Sequence, residues 1–432
     1  MTTADQIERL LCQRHAPGLP EHFVLPHYAG YSIANLAPTL AELLGASMDD
    51  AAPTLPGHLW ADLSEDVNCV LLFILDALGY RQLERYLQAE TSFFNHLVSE
   101  GRLVPITSVF PSTTVTALTS IWTGRPPLGH GFMGTKLLLP EQGVLANMLK
   151  MAPAVHGGGG RLENWGWDPE TFIQAPTLAG RLDAADIRTV AHTRRSFIGS
   201  TLTEIFLRGM DELRGYVDLG DLWVNLRQTL EERDRNQPLF VDVYWSGTDN
   251  VGHVYGPENE YESATLRHLS RSVEEDFLGR LPAKAREGTL LIVTADHGQI
   301  ATPSDQVVRL PDHPDLWQTL LLPPAGESRA SYLYVRPGQR DRLRGYVQEH
   351  LGDRFVLLDT ERALEAGLWG SPRHIPATHR ARLGDMVLIA RQGSRLTTRE
   401  KRNDRSTLRG HHGGLTAEEM LVPLLMVRLD RR

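Results

Sequence analysis

Residues 68–75 read NCVLLFIL and run straight into Asp76. An unbroken apolar run of this length, with no polar alternation, is the pattern of a strand covered on both faces, as at the centre of a parallel sheet. Working outward, residues 79–99 read as a helix and 103–110 as a second strand. Residues 114–123 read as a helix that starts just past Pro111 with hydroxyl residues at its first positions. Helix, strand, helix, strand and helix then follow at 178–185, 187–191, 222–233, 239–245 and 261–281. Residues 289–294 (TLLIVT) repeat the opening pattern, a buried strand with Asp296 just beyond it. Strand–helix alternation of this kind implies an α/β fold, a mostly parallel central sheet with helices on both faces.

Residues 301–407 break the rhythm. Strand, helix, strand and helix at 330–335, 338–351, 354–358 and 360–366, with a further strand at 385–390, read as a small inserted α+β domain. The expected core is therefore 1–300 plus 408–432. Residues 1–60, rich in proline and short apolar patches, read as a wrap around that core. The charged stretch 397–409 reads as a linker, and 420–427 as a strand returning to the main sheet.

Composition narrows the function classes. The 432 residues are 41% hydrophobic and 22% charged, ordinary for a globular chain. The net charge of −9, with no dominant basic patch, argues against a nucleic-acid duplex as partner. No stretch approaches the ~18 consecutive apolar residues of a membrane span. Cys12 and Cys69 form neither a disulfide framework nor a C-x-x-C motif, and the N-terminal MTTADQIERLLCQRH reads as a short helix, not as a secretion signal. The expectation is a reducing, cytoplasmic setting. Oligomeric state is not legible.

Four separated segments carry candidate chemistry, each just past a strand or in a glycine-rich turn, where sites form in open α/β sheets. Asp76 ends the first strand; buried there it needs a partner, which a metal or a helix N-terminus supplies. Asp249 and His253, four residues apart, can offer oxygen and nitrogen to one ion, or belong to a surface turn. Asp296 and His297 would point to opposite faces of a strand, so they share an ion only if the strand has ended, and Gly298 permits that turn. His411 and His412 sit beside Gly413 and Gly414, two imidazoles in a flexible turn. Mixed oxygen and nitrogen ligands suit zinc, and also manganese or iron. Two divalent ions roughly 3.5–4 Å apart stabilise both attacking and leaving oxygens in phosphoryl transfer. Residues 110–116, FPSTTVT, put hydroxyls at a helix N-terminus, where N–H groups and the helix dipole favour phosphate. Plain N-capping uses the same residues, so composition alone does not choose among them.

Taken in order, these segments resemble the alkaline phosphatase superfamily, in particular its type I phosphodiesterase/nucleotide pyrophosphatase branch. The ordered set is an Asp after the first strand, a hydroxyl before a helix ending in T-G, D-x-x-G-H-x-x-G-P, A-D-H-G and a late H-G. The resemblance covers 68–298 and 410–427. In that branch the nucleophile lies ten residues before the glycine of T-G, and counting back from Gly124 gives Thr114. The resemblance implies one metal on Asp249, His253 and His412, and a second on Asp76, Asp296, His297 and the Thr114 oxygen. His412 is chosen over His411 because the family ligand directly precedes glycine. The implied activity is two-metal hydrolysis of a phosphodiester or phosphoric anhydride through a covalent phospho-threonine. The implied substrate is a small-molecule phosphate ester or nucleotide-like compound; zinc is the expected metal and manganese the alternative. Two departures stand out. Thr135 occupies the place of a phosphate-contacting Asn, and Val115 that of an aromatic residue in nucleotide-cleaving members. Trp165 and Trp167 read as local packing in preference to a substrate lid. A phosphomonoesterase or phosphomutase of the same superfamily is the alternative enzyme. A catalytically silent partner-binding module is the alternative of another class.

Overall fold

Cys69–Leu75 is the middle strand of a seven-stranded sheet. Every residue of the strand is buried, as is every residue of Thr289–Thr294 beside it. In this computed structural model residues 2–154, 161–371, 375–399 and 408–431 are described. Part of the glycine-rich stretch before Trp165 and most of the 397–409 linker lie outside the described residues.

The sheet order is Arg102–Thr107, Leu421–Arg428, Thr289–Thr294, Cys69–Leu75, Leu239–Trp245, Arg188–Arg194 and Glu212–Tyr216. The last five run parallel. Leu421–Arg428 is antiparallel to both of its neighbours, so the returning strand closes the sheet against the grain. Register places Leu75 opposite Trp245 and Ile74 opposite Thr294. Three strands therefore end side by side, and the residues that follow them meet at one edge.

Two helical expectations change in detail. Residues 79–99 form two helices, Tyr80–Ala89 and Phe93–Glu100. The Asn95 side chain accepts the Ser92 N–H at 2.9 Å and so starts a new helix there. The helix expected over 261–281 is regular only through Glu260–Ser272 and then widens into a π turn at Val273–Phe277. Glu212–Tyr216 was not anticipated; as an edge strand it is polar and half exposed.

The second sheet holds the antiparallel strands Phe355–Asp359, Met386–Ala390, Ala330–Leu333, Ala325–Gly326, Lys136–Leu139, Val144–Asn147 and Ala152–Pro153. It is not confined to 301–407, because three of its strands come from 136–153. One face, with Tyr332, Val387 and Ile389, joins the main buried core; the other, with Leu333 and Leu388, covers a smaller cluster under Arg340–His350. Trp369 packs on Phe110 at 5.4 Å between ring centres and ties the two layers together. Among the described residues no helix is long and apolar enough to cross a membrane.

Candidate metal and phosphate site

Asp76 follows the Cys69–Leu75 strand, and the chain then turns through Ala77 at a positive φ of 61°. That turn aims the Ala77 N–H at Asp296 Oδ1, 3.1 Å away. Asp296 lies beyond Thr289–Thr294, where the strand has ended, so it and His297 are not held to opposite faces. The His297 N–H also donates to Asp296 Oδ1, at 2.9 Å. A side chain at position 298 would strike the Glu418 carbonyl and the Gly79 backbone, so only glycine allows this close approach.

The His297 ring is oriented by its own backbone: Nδ1 donates to the Gly298 carbonyl at 3.0 Å. The lone pair of Nε2 then faces Asp296 Oδ2 at 3.3 Å, Asp76 Oδ1 at 3.6 Å and Thr114 Oγ1 at 3.1 Å. The second group starts in the Gly247–Tyr255 helix, where Asp249 and His253 lie one turn apart. His253 Nε2 is 3.2 Å from Asp249 Oδ1, and its Nδ1 donates to the Gly410 carbonyl at 2.8 Å. His412 Nδ1 donates to the Ser112 carbonyl at 3.1 Å, which leaves Nε2 3.9 Å from Asp249 Oδ1. Within each set, Asp249–His253–His412 and Asp76–Asp296–His297, the nearest ligand atoms lie within 4.8 Å of one another. The His297 and His412 rings stack 3.8 Å apart, so the two sets adjoin.

The electrostatics call for cations. Burial, then the nearby carboxylates of Asp296 and Asp249, push the Asp76 pKa well above the carboxylate range. Burial also raises Asp249, against the opposing pull of His253 and His297. Burial and the neighbouring His297 and His253 hold His412 well below the usual imidazole value. Asp76 Oδ1 and Asp296 Oδ2 are buried without a hydrogen-bond partner. Three imidazoles each tie Nδ1–H to a backbone carbonyl and turn a bare Nε2 inward, the arrangement that metal-ligating histidines adopt. The donor set thus fits one divalent cation in each cluster.

Thr114 is the first residue of the Thr114–Thr123 helix, and its hydroxyl meets the Asp76–Asp296–His297 set at that helix's N-terminus. His411 lies outside both sets; it pairs across a short bridge with Ile300, and burial drops its pKa to about 2. Thr135 donates its N–H to the half-buried Glu327 at 2.6 Å. Trp167 is buried against Phe172, a packing role, while Trp165 is exposed. Sequence reasoning missed the supports of the carboxylates. Tyr244 donates its hydroxyl to Asp76 Oδ2, Thr248 donates to the Asp76 carbonyl, and Gln299 Nε2 donates to Asp249 Oδ1 at 2.7 Å. Gln299 was within reach, as it follows D-H-G directly; Tyr244 emerges only from the register that sets it beside Ile74.

This sheet, with paired Asp/His sets beyond its strand ends, is that of the alkaline phosphatase superfamily. The model of the type I phosphodiesterase/nucleotide pyrophosphatase family matches residues 70–415, and the chain belongs to that family. The bis(5'-adenosyl)-triphosphatase ENPP4 of Pongo abelii is 30% identical over 96 residues, 21% of this chain and 18% of that protein. The matched stretch spans less than half the length of the curated relatives. Murine ectonucleotide pyrophosphatase/phosphodiesterase 5, solved as an inactive variant in complex with AMP, superposes with a TM-score of 0.61 at 19% identity, covering 84% of this chain and 89% of its own. Phosphonoacetate hydrolase from Sinorhizobium meliloti 1021, in complex with phosphonoformate, gives 0.61 at 20% identity, covering 84% and 90%.

Proposed function

We propose that this protein hydrolyses a phosphodiester or phosphoric anhydride bond in a small, nucleotide-like substrate, through a covalent phospho-threonine at Thr114. A divalent cation would be held by Asp249, His253 and His412, and a second by Asp76, Asp296 and His297. The supporting observation is that both sets adjoin at the N-terminus of the Thr114–Thr123 helix, with Thr114 Oγ1 3.1 Å from His297 Nε2. Bound cations would neutralise charge on the attacking and leaving oxygens; zinc fits the mixed donors, with manganese as the alternative.

The chain's own groups supply the rest. His297 Nε2 has one lone pair, so when it ligates it cannot also accept the Thr114 proton, and that proton leaves to solvent. The Thr114 oxygen forms a bond to phosphorus, while the ester oxygen opposite departs with the bonding pair and takes a proton from water. Water then cleaves the threonine ester, which restores the hydroxyl and releases a phosphate product. Helix-terminal N–H groups stabilise the phosphoryl oxygens throughout. The relative called a bis(5'-adenosyl)-triphosphatase and the neighbour solved with AMP support a nucleotide-like substrate. A cytoplasmic location is part of the proposal, supported by Cys12 and Cys69 being free thiols, and cell fractionation checks it.

The test is a hydrolysis panel of aryl phosphodiester, aryl phosphomonoester, nucleotide pyrophosphate and sulfate ester, with metal analysis on the same sample. Chelation is expected to abolish turnover, and zinc or manganese to restore it. Thr114→Ala is expected to keep its metal while losing about 10³-fold or more in kcat. Full turnover after exhaustive chelation, or in Thr114→Ala, removes the proposal. Preference for the monoester favours the phosphomonoesterase, and absence of stoichiometric metal the silent module.

A further inference from the structure

A cavity of about 260 Å³ opens beside Thr114. One wall is a single stripe of the Thr114–Thr123 helix, Thr114, Leu118 and Trp122, and the other includes Phe197, Phe206 and Tyr244. The lining is mostly apolar, yet Asp242 is part of it. Asp242 is only 1% exposed, in the middle of the Leu239–Trp245 strand. Strand alternation puts it on the face of Phe240 and Tyr244, and Phe240 packs on Trp122 beneath the same helix. Its register partners in the sheet are Leu72 and Ala191, neither of which can pair with a carboxyl group. Asp242 Oδ1 is buried without a hydrogen-bond partner. An unpaired buried polar group costs about 1–3 kcal/mol. Valine or leucine in this strand would avoid that cost, so the carboxyl group serves something that enters the cavity.

We propose that Asp242 is a specificity-determining residue that hydrogen-bonds the ester group of the substrate lodged in this cavity, selecting a flat ring with a hydrogen-bonding edge over its hydrocarbon counterpart. The proposal rests on the phosphodiesterase reading of the Thr114 site. Burial raises the Asp242 pKa well above the carboxylate range, only partly opposed by the Val243 N–H. Burial thus favours the neutral acid, which has one O–H donor and one C=O acceptor. That pair complements an amide-like edge, where a donor and an acceptor lie side by side.

The experiment compares two phosphodiesters, methyl 3-carbamoylphenyl phosphate and methyl 3-isopropylphenyl phosphate, in the wild type, Asp242→Leu and Asp242→Asn. The read-out is the ratio of kcat/KM for the amide over the hydrocarbon; dividing variant by wild type cancels the difference in leaving groups. Asp242→Leu is expected to lower this ratio by about tenfold or more, the worth of a buried hydrogen bond. Asp242→Asn, which keeps a donor and an acceptor, retains most of the preference. An unchanged ratio in Asp242→Leu overturns the proposal. Should that variant not fold, Leu118→Trp, which fills the cavity in front of Asp242, gives the same reading: the amide preference is lost, or the proposal is wrong. If the wild type cleaves neither ester, the phosphodiesterase reading of these substrates fails on its own. Calorimetric binding of 3-carbamoylphenol and 3-isopropylphenol then decides the Asp242 question: tighter binding of the amide by the wild type alone supports it, and equal preference in wild type and Asp242→Leu overturns it.

Discussion

His192 is buried on the Arg188–Arg194 strand with Nε2 3.0 Å from Thr229 Oγ1. The Thr229 hydroxyl already donates to the Asn225 carbonyl at 2.9 Å, so it can only accept from the ring. Nε2 therefore carries the proton, and Nδ1 is bare, buried and without a partner. Charging this ring would bury an unpaired N–H⁺, and burial, helped by Arg214, holds its pKa down at about 4. An unfolded histidine titrates near 6.5. Between these values the unfolded chain binds a proton that the native state refuses, so stability is full above about pH 6.5 and falls as the pH drops towards 4. The loss from this group on going from pH 7 to pH 5 is about 2 kcal/mol. His192→Gln keeps a donor towards Thr229 and removes the titration. Urea unfolding of both proteins at pH 7 and pH 5 should show the wild type losing more stability than the variant, and equal losses would contradict the neutral, Nε2-protonated ring. Other buried histidines such as His130 pull the same way but are common to both proteins.

The Thr114–Thr123 helix carries the proposed nucleophile, Thr114, at one end and a glycine stop at the other. Gly124 has φ of 62°, and its N–H closes the last turn onto the Ser120 carbonyl at 3.0 Å. A Cβ there would lie 2.9 Å from the Ala51 Cβ and 3.1 Å from the Pro38 Cδ. Gly124→Ala combines a left-handed alanine with that crowding and should cost about 1–3 kcal/mol in urea unfolding; a variant as stable as wild type would mean that the N-terminal wrap yields. This helix was legible in the sequence to the residue, as were Leu239–Trp245 and Thr289–Thr294, because proline, glycine and unbroken apolar runs are local signals. Glu212–Tyr216 was not, since an edge strand needs no apolar run. The second sheet was legible only in part. Lys136 pairs with Gly326 across a long separation, and such pairing leaves no period in either segment. The site divides in the same way. Asp76 and Asp296 announce themselves by following apolar runs, whereas Tyr244 and Asp242 acquire their partners, or their lack of one, from strand register and from a helix packed above them.

At the scale of the whole molecule the two sheets are joined through a buried ion pair. Arg329 Nε and Nη2 donate to Glu419 Oε1 and Oε2 at 2.6 and 2.8 Å, and both side chains are fully buried. Arg329 immediately precedes the Ala330–Leu333 strand of the second sheet, and Glu419 lies just before Leu421–Arg428 of the first. Glu419 also accepts the Gly414 N–H at 2.7 Å and the Thr416 hydroxyl at 2.7 Å, which pins the turn that presents His412. Burial alone would raise the Glu419 pKa, but Arg329, Thr416 and Gly414 more than reverse it, so the group is held as a carboxylate. Removing the guanidinium strands that charge in the interior, and Arg329→Met should cost about 3–5 kcal/mol. The companion change Glu419→Gln removes the charge yet can still accept from Gly414, so the double variant should recover a large part of the loss. The same strain acts on the candidate metal sites unequally. His412 belongs to the set with Asp249 and His253, while Asp76, Asp296 and His297 hang from the ends of central strands. Zinc titration of Arg329→Met, followed by metal analysis after dialysis, should therefore show the first set weakened and the second retained, with about one ion per chain where the proposal expects two in the wild type. Wild-type stability together with wild-type metal content would show that the link between the sheets does not support the His412 turn.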